Sequence, residues 1–179
     1  RANTWIGDAH GRTVAVIDSD GGRVSMIHDR FGNLLRAVDR AGAITTHRYD
    51  ERGRCTHTGL PTGASIDYSW DALDRLAAVR LDNGATTTFT YADTSRAPAS
   101  VTDPVGGVTR LEWTNGLLVG TTNPVGVTLE LGYDAHGDLV SLTDSDGGVT
   151  RLVRDEAGRV VEATSPAGAT TRLSYDDAG

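Results

Sequence analysis

A glycine recurs every 21 residues, and that period restricts the chain to a repeat architecture. Counting from Gly11 in steps of 21 lands on Gly32, Gly53, Asp74, Ser95, Gly116, Gly137, Gly158 and Gly179, so seven of nine stations are Gly. Average Gly usage is roughly 7%, far too low for chance to set that register. A second series lies about ten residues further on, at Gly21, Gly42, Gly63, Gly84, Gly126, Gly147 and Gly168. The fifth unit slips by one, to Gly106 and Gly107, and also departs at Ala92 and Ser95. Repeats of this length are single supersecondary units that bury surface only by stacking on their neighbours.

Each Gly is expected to close a four-residue turn. The first series reads Asp-x-x-Gly, as in Asp8–Gly11, Asp29–Gly32, Asp50–Gly53, Asp134–Gly137 and Asp155–Gly158. The second begins with Asp, Asn or Ser, at Asp18, Asp39, Asn123, Asp144 and Ser165, and Pro stands second at Pro61, Pro104, Pro124 and Pro166. This is type I turn chemistry: the first side chain accepts a backbone hydrogen bond, Pro presets φ, and Gly takes the left-handed position. Such a turn followed by a left-handed Gly closes a hairpin with a bulge.

About seven residues separate the turns, one strand's length. The strand before each first turn alternates: Ala64, Ile66, Tyr68 and Trp70 against Ser65, Asp67 and Ser69; Val127, Leu129, Leu131 and Tyr133; Thr171, Leu173 and Tyr175. Period two means a strand with one buried face. The strand after it carries apolar doublets, Leu34-Leu35, Leu139-Val140 and Val160-Val161, which reads as partial cover on a second face. The fold class expected is all-β: antiparallel hairpins of 21 residues in one long meander sheet of about sixteen strands. A sheet this wide rarely stays open beyond about ten strands without curling, so a spiral or open β-shell is expected. Domain organisation over 1–179 is expected to be a single array of about eight repeats, a piece of a larger chain.

Composition narrows the function. The formal charge is −7 with no Lys/Arg run, which argues against a nucleic-acid partner, because phosphate binding needs a basic patch. No apolar stretch approaches the length of a membrane-spanning helix, and residues 1–10 lack a signal-peptide core. A lone Cys excludes an internal disulfide framework.

Tyr49-Asp50-Glu51-Arg52-Gly53-Arg54, Trp70-Asp71-Ala72-Leu73-Asp74-Arg75-Leu76, Tyr133-Asp134-Ala135-His136-Gly137, Asp155-Glu156-Ala157-Gly158-Arg159 and Tyr175-Asp176-Asp177-Ala178-Gly179 resemble the YD repeat, Tyr-Asp-x-x-Gly-Arg-Leu, of RHS/YD proteins. The likeness covers essentially the whole chain. It departs at Gly7, His28 and Arg154 in the aromatic position, and around Ser95 and Trp113. The resemblance implies a large β-shell. In bacterial polymorphic toxins and insecticidal toxin complexes that shell encloses a C-terminal toxic domain; in teneurins it forms part of an adhesion receptor. The bacterial branch is favoured by the short, regular, Ala/Asp/Arg/Gly-rich repeats. Its implications are a structural role, no enzyme activity, no cofactor, a C-terminal toxin or effector domain of the parent chain as partner, and a secreted or cell-surface location. An alternative is a recognition module for glycans or a surface protein, with Trp70, Tyr91 or Trp113 stacking on sugars.

No catalytic, metal or cofactor residues are nominated. Cys55 and His57, two apart, are expected on one strand face, as for a thiol and its base. Yet Cys55 fills the slot of Leu34, Leu76, Leu118 and Leu139 and is read as a small apolar filler. Asp18-Ser19-Asp20-Gly21-Gly22 and Asp144-Ser145-Asp146-Gly147-Gly148 are read as turns rather than Ca²⁺ loops, since no further ligands follow at the required spacing. Asp103-Pro104-Val105-Gly106 matches a self-cleavage motif of the family in letters, but sits at a second-turn station and is read as an ordinary Pro turn. Arg12, Arg54, Arg75, Arg96 and Arg159, just after the first turns, are expected to form a ladder with acids or solvent, and His10 and His136 to be exposed. The residues expected to matter are turn formers and packers: Tyr49, Asp50, Gly53, Trp70, Asp71, Tyr133, Asp134, Gly137, Asp155, Gly158, Tyr175 and Asp176.

Overall fold

Turn chemistry and strand alternation produce the expected architecture. The computed structural model describes residues 3–176, and within them there are seventeen strands and no helix. The strands follow one another antiparallel in a single open meander sheet, with no pairing of the last strand to the first. The chain divides into two compact units, Arg1–Thr87 and Thr88–Gly179.

The first unit holds β1 (Thr4–Gly7), β2 (Thr13–Ile17), β3 (Arg23–His28), β4 (Leu34–Val38), β5 (Ile44–Tyr49), β6 (Cys55–Gly59), β7 (Ser65–Trp70) and β8 (Leu76–Leu81). β9 (Thr86–Tyr91) contains the division. The second unit continues with β10 (Pro98–Thr102), β11 (Val108–Thr114), β12 (Leu117–Thr122), β13 (Thr128–Tyr133), β14 (Leu139–Asp144), β15 (Val149–Arg154), β16 (Val160–Thr164) and β17 (Thr170–Arg172).

The turn at Asp50 represents the first series. Gly53 N–H donates to Asp50 O at 3.0 Å, and Asp50 N–H donates to Arg54 O at 3.0 Å. Asp50 Oδ1 accepts from the amides of Arg52 and Arg54 at 2.9 and 3.0 Å. Gly53 has φ +77°, the left-handed conformation that closes the turn without a Cβ penalty. Asp74 holds the same station at φ +61°, as Asp can at modest cost. Asp103–Gly106 has this geometry too, with Asp103 Oδ1 accepting from Val105 and Gly107, which makes it an ordinary turn.

Three sequence expectations are refined or change. The apolar doublets mark bulges, in strands that are half-buried along their whole length. Leu34 pairs with His28 and Arg36 with Ile27, so Leu34 and Arg36, two apart, pair with residues on opposite faces. One extra residue, Leu35, sits between them. The same shift recurs at Cys55-Thr56, Leu76-Ala77, Leu139-Val140 and Val160-Val161. Secondly, that shift separates Cys55 from His57. Cys55 pairs with Tyr49 and His57 with Arg48, so the two lie on opposite faces. Thirdly, Gly116 does not close a four-residue turn. Asn115 and Gly116, at φ +52° and +81°, form a two-residue turn between Thr114 and Leu117, the I′ geometry that Asn-Gly favours. This shorter turn restores the register lost at residues 92–97, where Asp93, not Ser95, has positive φ.

Burial is thin, as in a single layer. Among the described residues Ala15 is the one fully buried hydrophobic residue; Tyr49, Tyr68, Trp70 and Tyr133 are half-buried, while Trp113, Leu129, Leu173 and Tyr175 are exposed.

Candidate functional site

The repeated unit is itself the candidate site, and its central feature is a hydrogen bond absent from the sequence pattern. A bulge leaves backbone groups outside the strand ladder, and a polar group left unpaired there is costly. In successive hairpins, the residue in the aromatic position reaches back fifteen residues to the carbonyl of the first bulge residue. Tyr49 Oη donates to Leu34 O at 3.0 Å, Trp70 Nε1 to Cys55 O at 2.8 Å, and Trp113 Nε1 to Pro98 O at 2.8 Å. Tyr133 Oη donates to Leu118 O at 2.8 Å and Tyr175 Oη to Val160 O at 2.8 Å. Arg154 departs from the aromatic pattern yet makes the equivalent bond, its Nε and Nη2 donating to Leu139 O at 3.2 and 3.1 Å. What these stations share is a long side chain ending in a donor. His28 stands there too, but its Nδ1 is buried with no hydrogen-bond partner.

A second set of contacts binds the turns. Arg12, Arg54, Arg75 and Arg159 pair with the Asp four residues earlier, at 2.6–2.8 Å. Arg12 and Arg54 extend further and donate to the carbonyl of the next first-turn Asp, Asp29 O at 2.6 Å and Asp71 O at 3.3 Å. Four of the five arginines expected to form a ladder, Arg12, Arg54, Arg75 and Arg159, are therefore clasps that close their own turns, and Arg12 and Arg54 also join theirs to the next. Arg159 also lies over the Tyr175 ring, 4.7 Å from its centroid.

These contacts hold the turn carboxylates in the ionised form. Hydrogen bonding from the Arg12 side chain, then from its amide, brings Asp8 down to about 2. The Arg54 side chain lowers Asp50; the amides of Arg75, Asp138 and Arg159, each the leading cause, lower Asp71, Asp134 and Asp155. A carboxyl group depressed in the folded state adds stability above its unfolded value near 3.8, and that stability is lost as pH falls through the folded value. The melting temperature of the chain is therefore expected to fall steeply between about pH 4 and pH 2. Thermal unfolding followed by circular dichroism at about pH 7, 4 and 2.5 checks this; an unchanged value at the lowest pH would contradict the clasp.

The other candidates have structural partners or stand exposed. His57 Nδ1 lies 2.7 Å from Asp67 Oδ1 across the sheet, while Cys55 is half-buried beside Thr58 on the other face. Asp18 Oδ1 accepts from the amides of Asp20 and Gly22, and Asp18 Oδ2 meets Arg40 at 2.9 Å, so its oxygens serve turn geometry. His10 and His136 side chains are exposed. Trp113 and Trp70 spend their indole N–H on the carbonyl anchor. Asp176 follows the Tyr175 anchor, and the rest of its expected turn, 177–179, lies outside the described residues.

Hairpins of 21 residues, each with a bulge, a donor anchor and a turn clasp, define a β-hairpin repeat array. The chain belongs to the RHS-repeat family: the RHS Repeat model matches residues 7–44, 28–65, 49–86, 70–108, 113–150, 133–170 and 154–179. No curated protein matches it. Among solved structures, the crystal structure of TcdB2-TccC3 without its hypervariable C-terminal region is similar over 99% of this chain and 12% of its own, with TM-score 0.64 and 18% identity. The TcdB2-TccC3-Cdc42 crystal structure is similar over 99% and 12%, with TM-score 0.63 and 16% identity. A Photorhabdus luminescens Tc holotoxin pore is similar over 97% and 12%, with TM-score 0.61 and 16% identity. At these identities the likeness is one of fold, and the chain spans about an eighth of the length of the chains it resembles.

Proposed function

We propose that this chain is a stretch of wall from an RHS-type β-shell, and that the shell encloses a C-terminal toxin or effector domain of the same parent polypeptide. The observation that carries this reading is the RHS-repeat register, unbroken over residues 7–108 and resumed over 113–179. The fold supports it: a single-layer sheet suits a wall, and aromatic residues left exposed or half-buried on it, such as Trp113, Tyr175 and Trp70, need cover from something beyond the layer. One of the similar structures is a protein described as lacking a hypervariable C-terminal region, which supports a cargo at that end of the parent. The action is confinement without catalysis, in a secreted or cell-surface protein. Separation of Cys55 from His57 on opposite faces removes the most tempting nucleophile–base pair.

The test is the denatured intact mass of the full-length parent against its coding length. Two or more pieces that copurify natively, the smaller from the C-terminal side, are expected. A single uncleaved chain removes the main support for self-cleaving encapsulation and moves the adhesion reading, a glycan- or protein-binding surface, ahead.

A further inference from the structure

The clasp arginine occupies a fixed station, and three repeats lack it: Leu117 is apolar there, while Asn33 and Asp138 are polar but short. Arg12 Nε donates to Asp8 Oδ2 at 2.7 Å, its Nη1 reaches Asp29 O, and its Cδ lies 3.9 Å from where a Cβ on Gly32 would stand. One repeat on, the equivalent residue is Asn33, whose Oδ1 lies 3.8 Å from the Cβ position of Gly53. In the second unit it is Asp138, whose Oδ2 lies 4.0 Å from that of Gly158. Both side chains occupy the arginine's place, and both are too short to reach the next turn's carbonyl.

Clefts lie at these two places. One, of about 600 Å³, is bounded by Asp29, Asn33, Asp50, Leu35, Phe31 and Tyr49. The other, of about 560 Å³, is bounded by Asp134, Asp138, Val140, Arg154, Glu156 and Gly158.

The sister stations state what such a cleft binds. A carbonyl has two lone pairs. Asp29 O accepts from Gly32 N–H at 3.1 Å and Asp71 O from Asp74 N–H at 3.2 Å, and each also takes a clasp guanidinium. Asp50 O and Asp155 O accept the same turn amide, from Gly53 and Gly158, and border the clefts where their sisters meet a guanidinium. Asn33 Nδ2 donates to Asp29 Oδ2 at 2.9 Å, the oxygen equivalent to the one Arg12 engages on Asp8. In the other cleft, Asp138 replaces a cation with an anion beside Asp134, whose Oδ2 has His136 at 4.0 Å. Arg154 there is already committed to Leu139 O and Gly158 O.

We infer that the clefts at Asn33 and Asp138 are receptor sites for an arginine side chain of a partner polypeptide, which completes in trans the clasp that Arg12 and Arg54 complete in cis. The guanidinium donates to Asp50 O or Asp155 O and pairs with the preceding turn carboxylate. In the first cleft its aliphatic stem lies along Leu35 and Tyr49, and the Phe31 ring, 4.6 Å from the Arg30 guanidinium, already receives a cation. Lysine is a poor substitute because one ammonium cannot span a carbonyl and a carboxylate in the planar fork geometry. The inference stands independently of the shell reading.

The experiment titrates the ¹⁵N-labelled 179-residue chain with acetyl-Gly-Arg-Gly-amide, and with its Lys counterpart, at fixed ionic strength. Saturable shifts are expected at the amides of Asn33, Gly53, Asp138 and Gly158, with the Arg peptide tighter on the order of fivefold, the worth of one additional hydrogen bond. Asn33→Arg and Asp138→Arg fill the clefts from within; each variant is expected to lose the response at its own cleft and keep it at the other, which also reports that the chain is folded. Shifts that are absent, equal for Arg and Lys, spread alike over turns such as those at Asp18 and Asp144, or retained at a filled cleft would overturn the assignment.

Discussion

Replacing Trp70 by Ala is expected to lower the stability of the first unit by about 2–4 kcal/mol, read as a fall in the urea midpoint. A fully buried Trp→Ala change costs about 3–5 kcal/mol, and Trp70 is half-buried, so the expected loss is about 1 kcal/mol smaller. Its indole lies in an apolar recess with His47, Tyr49, Cys55, Thr58, Tyr68 and Leu76. It also binds the Cys55 carbonyl at 2.8 Å and lies 5.8 Å from the Arg54 guanidinium carbon. Trp70→Phe separates packing from anchoring: it keeps most of the ring and removes the N–H, at a cost of about 1 kcal/mol. Equal losses for Ala and Phe would mean that the hydrogen bond dominates. No loss for Phe would mean that the carbonyl at the bulge is satisfied without the anchor. Repeat arrays unfold in parts when neighbour contacts weaken, so hydrogen exchange at Cys55 and His57 should report the lesion before a global signal does.

Much of this fold was legible in the sequence because turn chemistry is local. Asp50 and Gly53 declare a turn by their own conformational needs, and Tyr49 and Trp70 declare a face by period two. What sequence reasoning missed depends on backbone pairing. The doublet Leu34-Leu35 gives no sign of a bulge by itself, and the register with Ile27 and His28 reveals it. The same bulge separates Cys55 from His57, which simple alternation places together. The donor anchor was hidden for another reason. Tyr, Trp and Arg look unrelated at Tyr133, Trp113 and Arg154 until a carbonyl fifteen residues back is found to require an N–H or O–H. A constant spacing of fifteen, from each such residue back to the residue that opens the bulge, was present as a signal. The clefts were hidden because Asn33 and Asp138 matter through what they fail to reach.

At Gly137 in the second unit, backbone conformation alone sets the expected effect of a side chain. Gly137 has φ +87°, and a Cβ built there meets its nearest neighbour, Leu117 Cδ1, at 4.0 Å, which is ordinary contact. Any cost of a side chain is therefore the cost of holding a left-handed backbone. For an ordinary L-residue that is about 1–2 kcal/mol, and a β-branched residue is worse placed still. Gly137→Val is expected to cost about 2–3 kcal/mol, and Gly137→Asn about 1 kcal/mol or less, because Asn tolerates this region. The chain contains its own control: Asp74 and Asn115 hold φ +61° and +52° in turns of the same sheet. A Val variant that unfolds at the wild-type urea midpoint would show that the turn relaxes to another type, with Asp134 no longer capping it. A Val variant that loses stability while Asn does not would establish that the 21-residue glycine period is written by backbone handedness, not by the space around each glycine.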